Sequence, residues 1–202
     1  MAKEMKKFNE EIENIYRLKV PYFSVYTSVF LVKLGKGLLL IDCATTDEDV
    51  DGIIIPALRE LGYELSDVDF LVLTHRHEDH AGGKSRILYH TPNVKVIEKP
   101  CEIDCYVSIY EMPGHTKDFI GVYDKRTKTL ISGDGLQGAG IKQYRTSLED
   151  KEGYLETIER IRADENIENV LYSHEYEPWY ENSALGRERV LACLSDCLDY
   201  VK

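Results

Sequence analysis

The stretch Thr74-His75-Arg76-His77-Glu78-Asp79-His80 puts four side chains able to bind a metal within six positions, spaced H-x-H-x-D-H. Imidazole nitrogens and carboxylate oxygens are the donors that borderline-soft divalent cations take. His75 and His77 are two residues apart, so in extended chain both point to one side; Asp79 and His80 are neighbours and diverge. The segment therefore offers two imidazoles to one point and a carboxylate with an imidazole to another. Gly82 and Gly83 follow, where the chain can turn tightly and bring backbone close to the site. The whole chain of 202 residues holds six histidines. Three of them crowd here, so an exposed loop rich in histidine by chance is the poorer account.

So short a cluster cannot close a two-centre site alone, and more donors occur downstream. His115 lies in the turn signal Met112-Pro113-Gly114-His115-Thr116, after the alternating segment 105–110. Asp134 lies in Ser132-Gly133-Asp134-Gly135, directly after the strand-like Thr129-Leu130-Ile131. His174 lies in Tyr172-Ser173-His174-Glu175, directly after Asn169-Val170-Leu171. Each sits at a strand's carboxyl end or in the turn after it, where α/β proteins collect site residues. Alone, PGH or SGD is more often a turn than a ligand; with the first cluster they form a set.

The order HxHxDH, then PGHT, then GD, then a late strand-end His resembles the metallo-β-lactamase superfamily, and within it the small glyoxalase II-like hydrolases. The resemblance implies a four-layer αβ/βα sandwich, of the α/β class, formed by residues 1–202 as one domain. It also implies two divalent metal ions, zinc foremost and iron or manganese as alternatives. His75, His77 and His115 would hold one ion. Asp79, His80 and His174 would hold the other. Asp134 would bridge both, and Asp42, in Leu40-Ile41-Asp42, would support the site from behind the ligands. Asp79 and Asp134 are then the carboxylates at the reacting centre. Two such ions lower the pKa of bound water to about 7 and polarise the oxygen under attack. The implied activity is hydrolysis of a small ester, a thioester before others. A phosphodiesterase or lactonase on the same site, or a mononuclear-iron persulfide dioxygenase, is the alternative.

Departures from the pattern narrow the choice. Glyoxalase II enzymes carry a further helical domain with basic residues that grip glutathione, whereas only about one helix follows His174. Quorum-signal lactonases place a Tyr three residues after the bridging Asp, where this chain has Gln137. Thiol-bearing lactamases have Cys where this chain has Asp134. Glu175 replaces a usual Gly and reads equally as a carboxylate fixing His80 or His174 or as a plain exposed Glu. Substrate contacts are sought in Lys142, Tyr144 and Arg145, in the Gly-rich run after Asp134. They could hold a carboxylate or phosphate, or simply be solvated. Tyr22, Phe23 and Tyr26 are placed in a loop between the first two strands, which makes Tyr26 a lid candidate. Trp179 and Tyr180 read as an aromatic wall or as core.

Composition sets the outer bounds. Asp and Glu total 36 against 25 Lys and Arg, a net charge of −11, which disfavours nucleic acid, since phosphate binding is driven by basic side chains. No apolar run is long enough to span a bilayer, and Met1-Ala2-Lys3-Glu4-Met5-Lys6-Lys7 lacks a signal peptide's apolar stretch. The expected setting is cytoplasmic, with a small-molecule substrate, no nucleic acid, no membrane, and an oligomeric state left open, a homodimer being one option. Five cysteines are an odd number, against a disulfide framework. Cys101 and Cys105 in extended chain would lie about 13 Å apart, too far to bridge. Cys193 and Cys197 fall on a helical pattern as small buried hydrophobes. Cys43 reads as strand-end packing before a place beside the metals, and His90 as a helix C-terminal or surface residue.

The elements that must position these groups alternate. Strands are expected at 15–20, 28–34 and 37–43, the last two joined as a hairpin. An amphipathic helix is expected over 47–62, with acidic residues in its first turn. Then come a strand at 69–74, a helix at 81–89 and strands at 94–97, 103–110, 119–124 and 129–132. A helix at 148–163, a strand at 169–172 and a final amphipathic helix at 183–200 complete the chain.

Overall fold

In the computed structural model, residues 6–138 and 146–201 are described. Packing divides the chain into two compact units, Met1–Glu98 and Lys99–Lys202. Each contains one six-stranded mixed sheet with its own apolar core.

The first unit runs β1 (Asn9–Ile12), β2 (Ile15–Tyr22), β3 (Val25–Lys33), β4 (Leu38–Ile41), β5 (Val68–Val72) and β6 (Lys95–Ile97), adjacent in that order. The first four strands pair antiparallel; β4, β5 and β6 are parallel. Every residue of β4 is buried, which fits the continuous apolar run Leu38-Leu39-Leu40-Ile41 of a covered parallel strand. Between β4 and β5 lies α1, over 47–60. It is a helix in three pieces: Asp47–Asp49, a wide π turn at Val50–Ile54, and Ile55–Glu60. The widening has a local cause. Pro56 has no N–H to give to the carbonyl four residues back, and its ring crowds that carbonyl. Thr46 caps the start, its hydroxyl accepting from Asp49 N and the Asp49 carboxylate accepting from Thr46 N. The 81–89 helix is instead two short ones, α2 (Glu78–Ala81) and α3 (Lys84–His90), interrupted at Gly82-Gly83.

The second unit has β7 (Cys101–Glu102), β8 (Val107–Glu111), β9 (Ile120–Asp124), β10 (Thr129–Gly133), β11 (Asn169–Tyr172) and β12 (Ser183–Leu185), in the order β12-β11-β10-β9-β8-β7. Helix α4 (Lys151–Ala163) leads into β11, and α5 (Arg187–Val201) follows β12. Two sequence expectations change here. The 103–110 strand is a hairpin, because the Asp104 carboxylate accepts from Tyr106 N and Val107 N and folds the chain back. The final helix starts later than 183, because Ser183–Leu185 pairs with β11 and Gly186, at φ +87°, breaks the chain between strand and helix. Both sheets end in short strands: β7 has two residues, β6 and β12 three each, and β1 four with a register shift.

Tyr26 is a correction. It lies within β3 opposite Pro21, 7% exposed, with Lys19 Nζ over its ring. The turn is one pair further on, at Phe23-Ser24, because the β2–β3 alternation runs unbroken to the Tyr22↔Val25 pair. Phe23, at φ +46° and 94% exposed, is the tip.

Candidate metal centre

In the first unit the donors leave β5 together. β4 and β5 are parallel, so Asp42 and Thr74 emerge at one edge of the sheet. Asp42 has φ +60°, a left-handed conformation that Asp tolerates better than most residues. Its buried carboxylate is fully engaged. Thr74 N donates to Oδ1 at 2.8 Å, the Thr74 hydroxyl reaches Oδ1 and Oδ2 at 3.1 and 2.9 Å, and His80 Nδ1 donates to Oδ2 at 2.7 Å. Asp42 thus holds His80.

These bonds fix which imidazole nitrogens carry lone pairs. His80 gives its Nδ1 proton to Asp42, so in the neutral ring Nε2 is bare. The Thr74 hydroxyl has one proton, best used on the carboxylate. His75 Nδ1, 3.0 Å away, therefore donates to that hydroxyl oxygen, and His75 Nε2 is bare. His75 Nε2 lies 2.9 Å from His77 Nδ1, and His80 Nε2 lies 3.3 Å from Asp79 Oδ2. Thr27 Oγ1, on β3, donates to the same Asp79 oxygen at 3.0 Å. His75, Asp79 and His80 are buried, whereas His77 is exposed. A bare ring nitrogen facing a buried carboxylate oxygen calls for a cation between them.

The glycines act through close approach. A Cβ on Gly82 would lie 2.0 Å from the Thr45 carbonyl oxygen, and one on Gly83 would lie 2.3 Å from that of Cys43. The turn after β4 can therefore lie against α2, with Cys43 N donating to the His80 carbonyl at 2.8 Å and the Cys43 thiol donating to the same oxygen at 3.3 Å. Burial pushes that thiol up, out of the titrating range. This is the strand-end packing role expected of Cys43.

In the second unit three strands supply one donor each. β10 and β11 are parallel, and β8 runs with them because both β8 and β10 are antiparallel to β9. His115, Asp134 and His174 therefore leave the sheet at one edge. His115 Nδ1 donates to the Ser147 carbonyl at 2.9 Å, so Nε2 is bare, and it lies 3.7 Å from Asp134 Oδ2. His174 Nε2 lies 3.2 Å from Asp134 Oδ1. One carboxylate thus faces two imidazoles, one on each oxygen. The turn holding His115 is tied to the start of α4: Asp150 N donates to the Gly114 carbonyl, and the Asp150 carboxylate caps Gly153 N. Lone pairs turned toward carboxylate oxygens are the donors that a divalent cation takes.

The remaining calls fall as follows. Glu175 accepts from Asn182 Nδ2 at 3.1 Å. Trp179 is half-buried and Tyr180 is 57% exposed, so Tyr180 is not core. His90 ends α3 and donates to Asp51. Lys142, Tyr144 and Arg145 lie outside the described residues. Thr27 carried no sequence signal, being one hydroxyl inside a strand pattern; Thr74 could have been found from its place between strand and motif. Among the described residues no helix is long and apolar enough to cross a membrane.

Residues 24–100 match the metallo-beta-lactamase superfamily model. The beta-lactamase-like protein 2 homolog of Drosophila melanogaster is 28% identical over 168 residues, 67% of this chain and 54% of that protein. A hydroxyacylglutathione hydrolase of Pectobacterium atrosepticum is 31% identical over 138 residues, 60% of this chain and 53% of that one. The chain thus spans about half the length of these relatives. Among solved structures, the metallo-β-lactamase FIM-1 from Pseudomonas aeruginosa, in a mono-zinc form, superposes with TM-score 0.74 over 96% of both chains at 16% identity, a likeness of fold. The two mixed sheets are those of that fold.

Proposed function

We propose that this chain is a dinuclear metal hydrolase acting on small esters, thioesters foremost. The observation that carries the reading is Asp134, whose two oxygens address two different imidazoles, as a bridge between two cations requires. In this reading His75, His77 and His115 hold one ion, Asp79, His80 and His174 the other, and Asp134 both. Zinc is foremost among the metals. When bound, the pair of cations supplies hydroxide at neutral pH and polarises the carbonyl under attack.

The chain's own groups prepare that chemistry. Asp42 and Thr74 lock the His80 and His75 tautomers so that each presents a lone pair. Thr27 steadies Asp79, and the Ser147 carbonyl turns His115 toward Asp134. These matched groups are all engaged as ligands or their supports, so none is left to protonate a poor leaving group. That favours thiolate departure, since thiols ionise near about 8.5, and disfavours amides. The hydroxyacylglutathione hydrolase relative supports the same class.

The test uses protein isolated without added metal. Elemental analysis should find two ions per chain after loading. The loaded protein is then assayed on a short acyl thioester, a lactone, a β-lactam and bis(4-nitrophenyl) phosphate. Preferred turnover of the thioester supports the reading. Much faster turnover of the phosphodiester, or one redox-active iron that consumes oxygen, overturns it.

A further inference from the structure

A cavity of about 210 Å³ lies in the second unit between the end of α4 and the sheet, and no metal donor borders it. Its apolar wall is Met112 after β8, Leu130 on β10, Ile161 on α4 and Ile167 before β11, none more than 4% exposed. The rim is polar. Arg160 and Asp164 stand one turn apart where α4 ends, and Tyr110 joins them, its ring stacked on Tyr123 at 5.4 Å. At about 30 Å³ per water the space holds about seven waters. It falls below the about 300–1,000 Å³ of drug-sized ligand pockets, so it suits one short apolar group and not a long acyl chain.

The rim groups have bonding capacity left. Arg160 Nη2 donates to the Glu111 carbonyl, and among the described residues the guanidinium has no carboxylate partner. Most of its five donors remain. Asp164 Oδ1 accepts from Asn166 N and Nδ2, at 3.0 Å each, and Oδ2 has no partner among the described residues. An acid and a base four apart at a helix end are within reach of each other, yet Arg160 and Asp164 are not paired. A cation and an anion held apart over an apolar cavity match a small zwitterion.

We propose that this cavity binds a free α-amino acid with an apolar side chain the size of leucine, isoleucine or phenylalanine. Its carboxylate pairs with Arg160 and accepts from the Tyr110 hydroxyl. Its ammonium pairs with Asp164 Oδ2, at the end of α4 where the helix dipole favours a cation. Its side chain displaces water from Met112, Leu130, Ile161 and Ile167. The rim also rejects near relatives. An acid without the ammonium sets its charge beside Asp164 uncompensated, and an amine without the carboxylate does the same beside Arg160. A polar side chain would lie unbonded against the apolar wall. The site is independent of the metals.

The test titrates L-leucine into the full chain carrying 13C in its isoleucine methyls, followed by NMR. Ile161 and Ile167 report on the cavity; Ile15 and Ile41, buried in the first unit, are the reference. A saturable shift of the first pair alone is expected with leucine, isoleucine and phenylalanine. Glutamate, N-acetyl-leucine and isoamylamine should bind far more weakly. Arg160→Gln and Asp164→Asn should each raise Kd about tenfold. Arg160 is exposed, and Asn at 164 keeps the oxygen that Asn166 uses, so both variants should fold, which thermal melting checks. No saturable shift up to the solubility limit of leucine, N-acetyl-leucine binding as well as leucine, or unchanged affinity in either variant overturns the proposal. Should a variant unfold, the comparison of leucine with N-acetyl-leucine and isoamylamine on the parent chain decides: equal binding overturns the zwitterion site, and preference for leucine supports it.

Discussion

His75, His77, Asp79 and His80 leave one strand as one loop and are held by side chains: Asp42, Thr74 and Thr27. His115, Asp134 and His174 leave three strands and are held by backbone: the Ser147 carbonyl, the Gly114–Asp150 tie and the parallel register of β10 with β11. Both arrangements set ring nitrogens against a carboxylate. The first depends on replaceable side chains, so point mutations should loosen it by degrees. The second depends on sheet topology, so it should be sensitive at its one shared carboxylate and tolerant around it.

The largest effect should therefore come from Asp134→Ala, which removes the group that addresses two imidazoles. Hydrolysis should fall about a thousandfold or more, and elemental analysis should show both ions weakened. Asp79→Ala should weaken chiefly one ion, and Asp118→Ala, outside the donor set, neither. Equal metal content in Asp134→Ala and parent protein would end the bridging role.

Asp42→Ala comes next. It leaves the buried His80 Nδ1–H and the Thr74 donors without their acceptor, a cost of about 2–4 kcal/mol readable by urea denaturation of metal-free protein. Metal affinity should also drop about 10–100-fold. Asp42→Asn keeps one acceptor oxygen and tolerates the left-handed backbone, so it should be milder; equal losses in the two variants would refute the hydrogen-bonding account. Thr27→Val should be smaller still, about tenfold in metal affinity with little loss of stability, and Thr27→Ser should restore it.

The smallest contrast concerns pH. In the first unit Arg86 and His90 hydrogen-bond Asp51 and hold its carboxyl at about 2. A depressed carboxyl stabilises the fold above its usual value near 3.8 and loses that effect as pH falls toward 2. In the second unit burial pushes Tyr123, which donates to the Asn166 carbonyl, up to about 12. A raised phenol stabilises below its usual value near 10, and the effect is lost as pH rises toward 12. Arg86→Gln should thus flatten the acid limb of a melting-temperature profile alone, and Tyr123→Phe the alkaline limb alone. A shift of the opposite limb by either variant would contradict the assignment.

The same contrast governs what the sequence disclosed. A motif within seven residues shows its chemistry by spacing alone. The dispersed donors were found because each follows an apolar run that does become a strand. Asp42 was recognised with them, but Thr27 was not, since a hydroxyl on a strand has no pattern until β3 pairs beside β4. The π turn in α1 follows from Pro56, a residue whose effect on a helix does not depend on tertiary contacts. The hairpin at β7–β8 turned on a side-chain acceptor, Asp104. The late start of α5 turned on pairing with a distant strand. Periodicity reports neither. Tyr26 was misplaced for a related reason: aromatic residues near a turn look like a loop until the register is fixed.

The brief outer strands have a consequence for life at high concentration. A sheet's last strand is the place where another copy can add on, and a long flat apolar one invites aggregation. Here β7 offers two residues and β12 three, β1 carries Glu10 and Glu11 beside a register shift, and β6 carries Lys95. The net charge of −11 adds repulsion to edges that already offer another strand little to pair with.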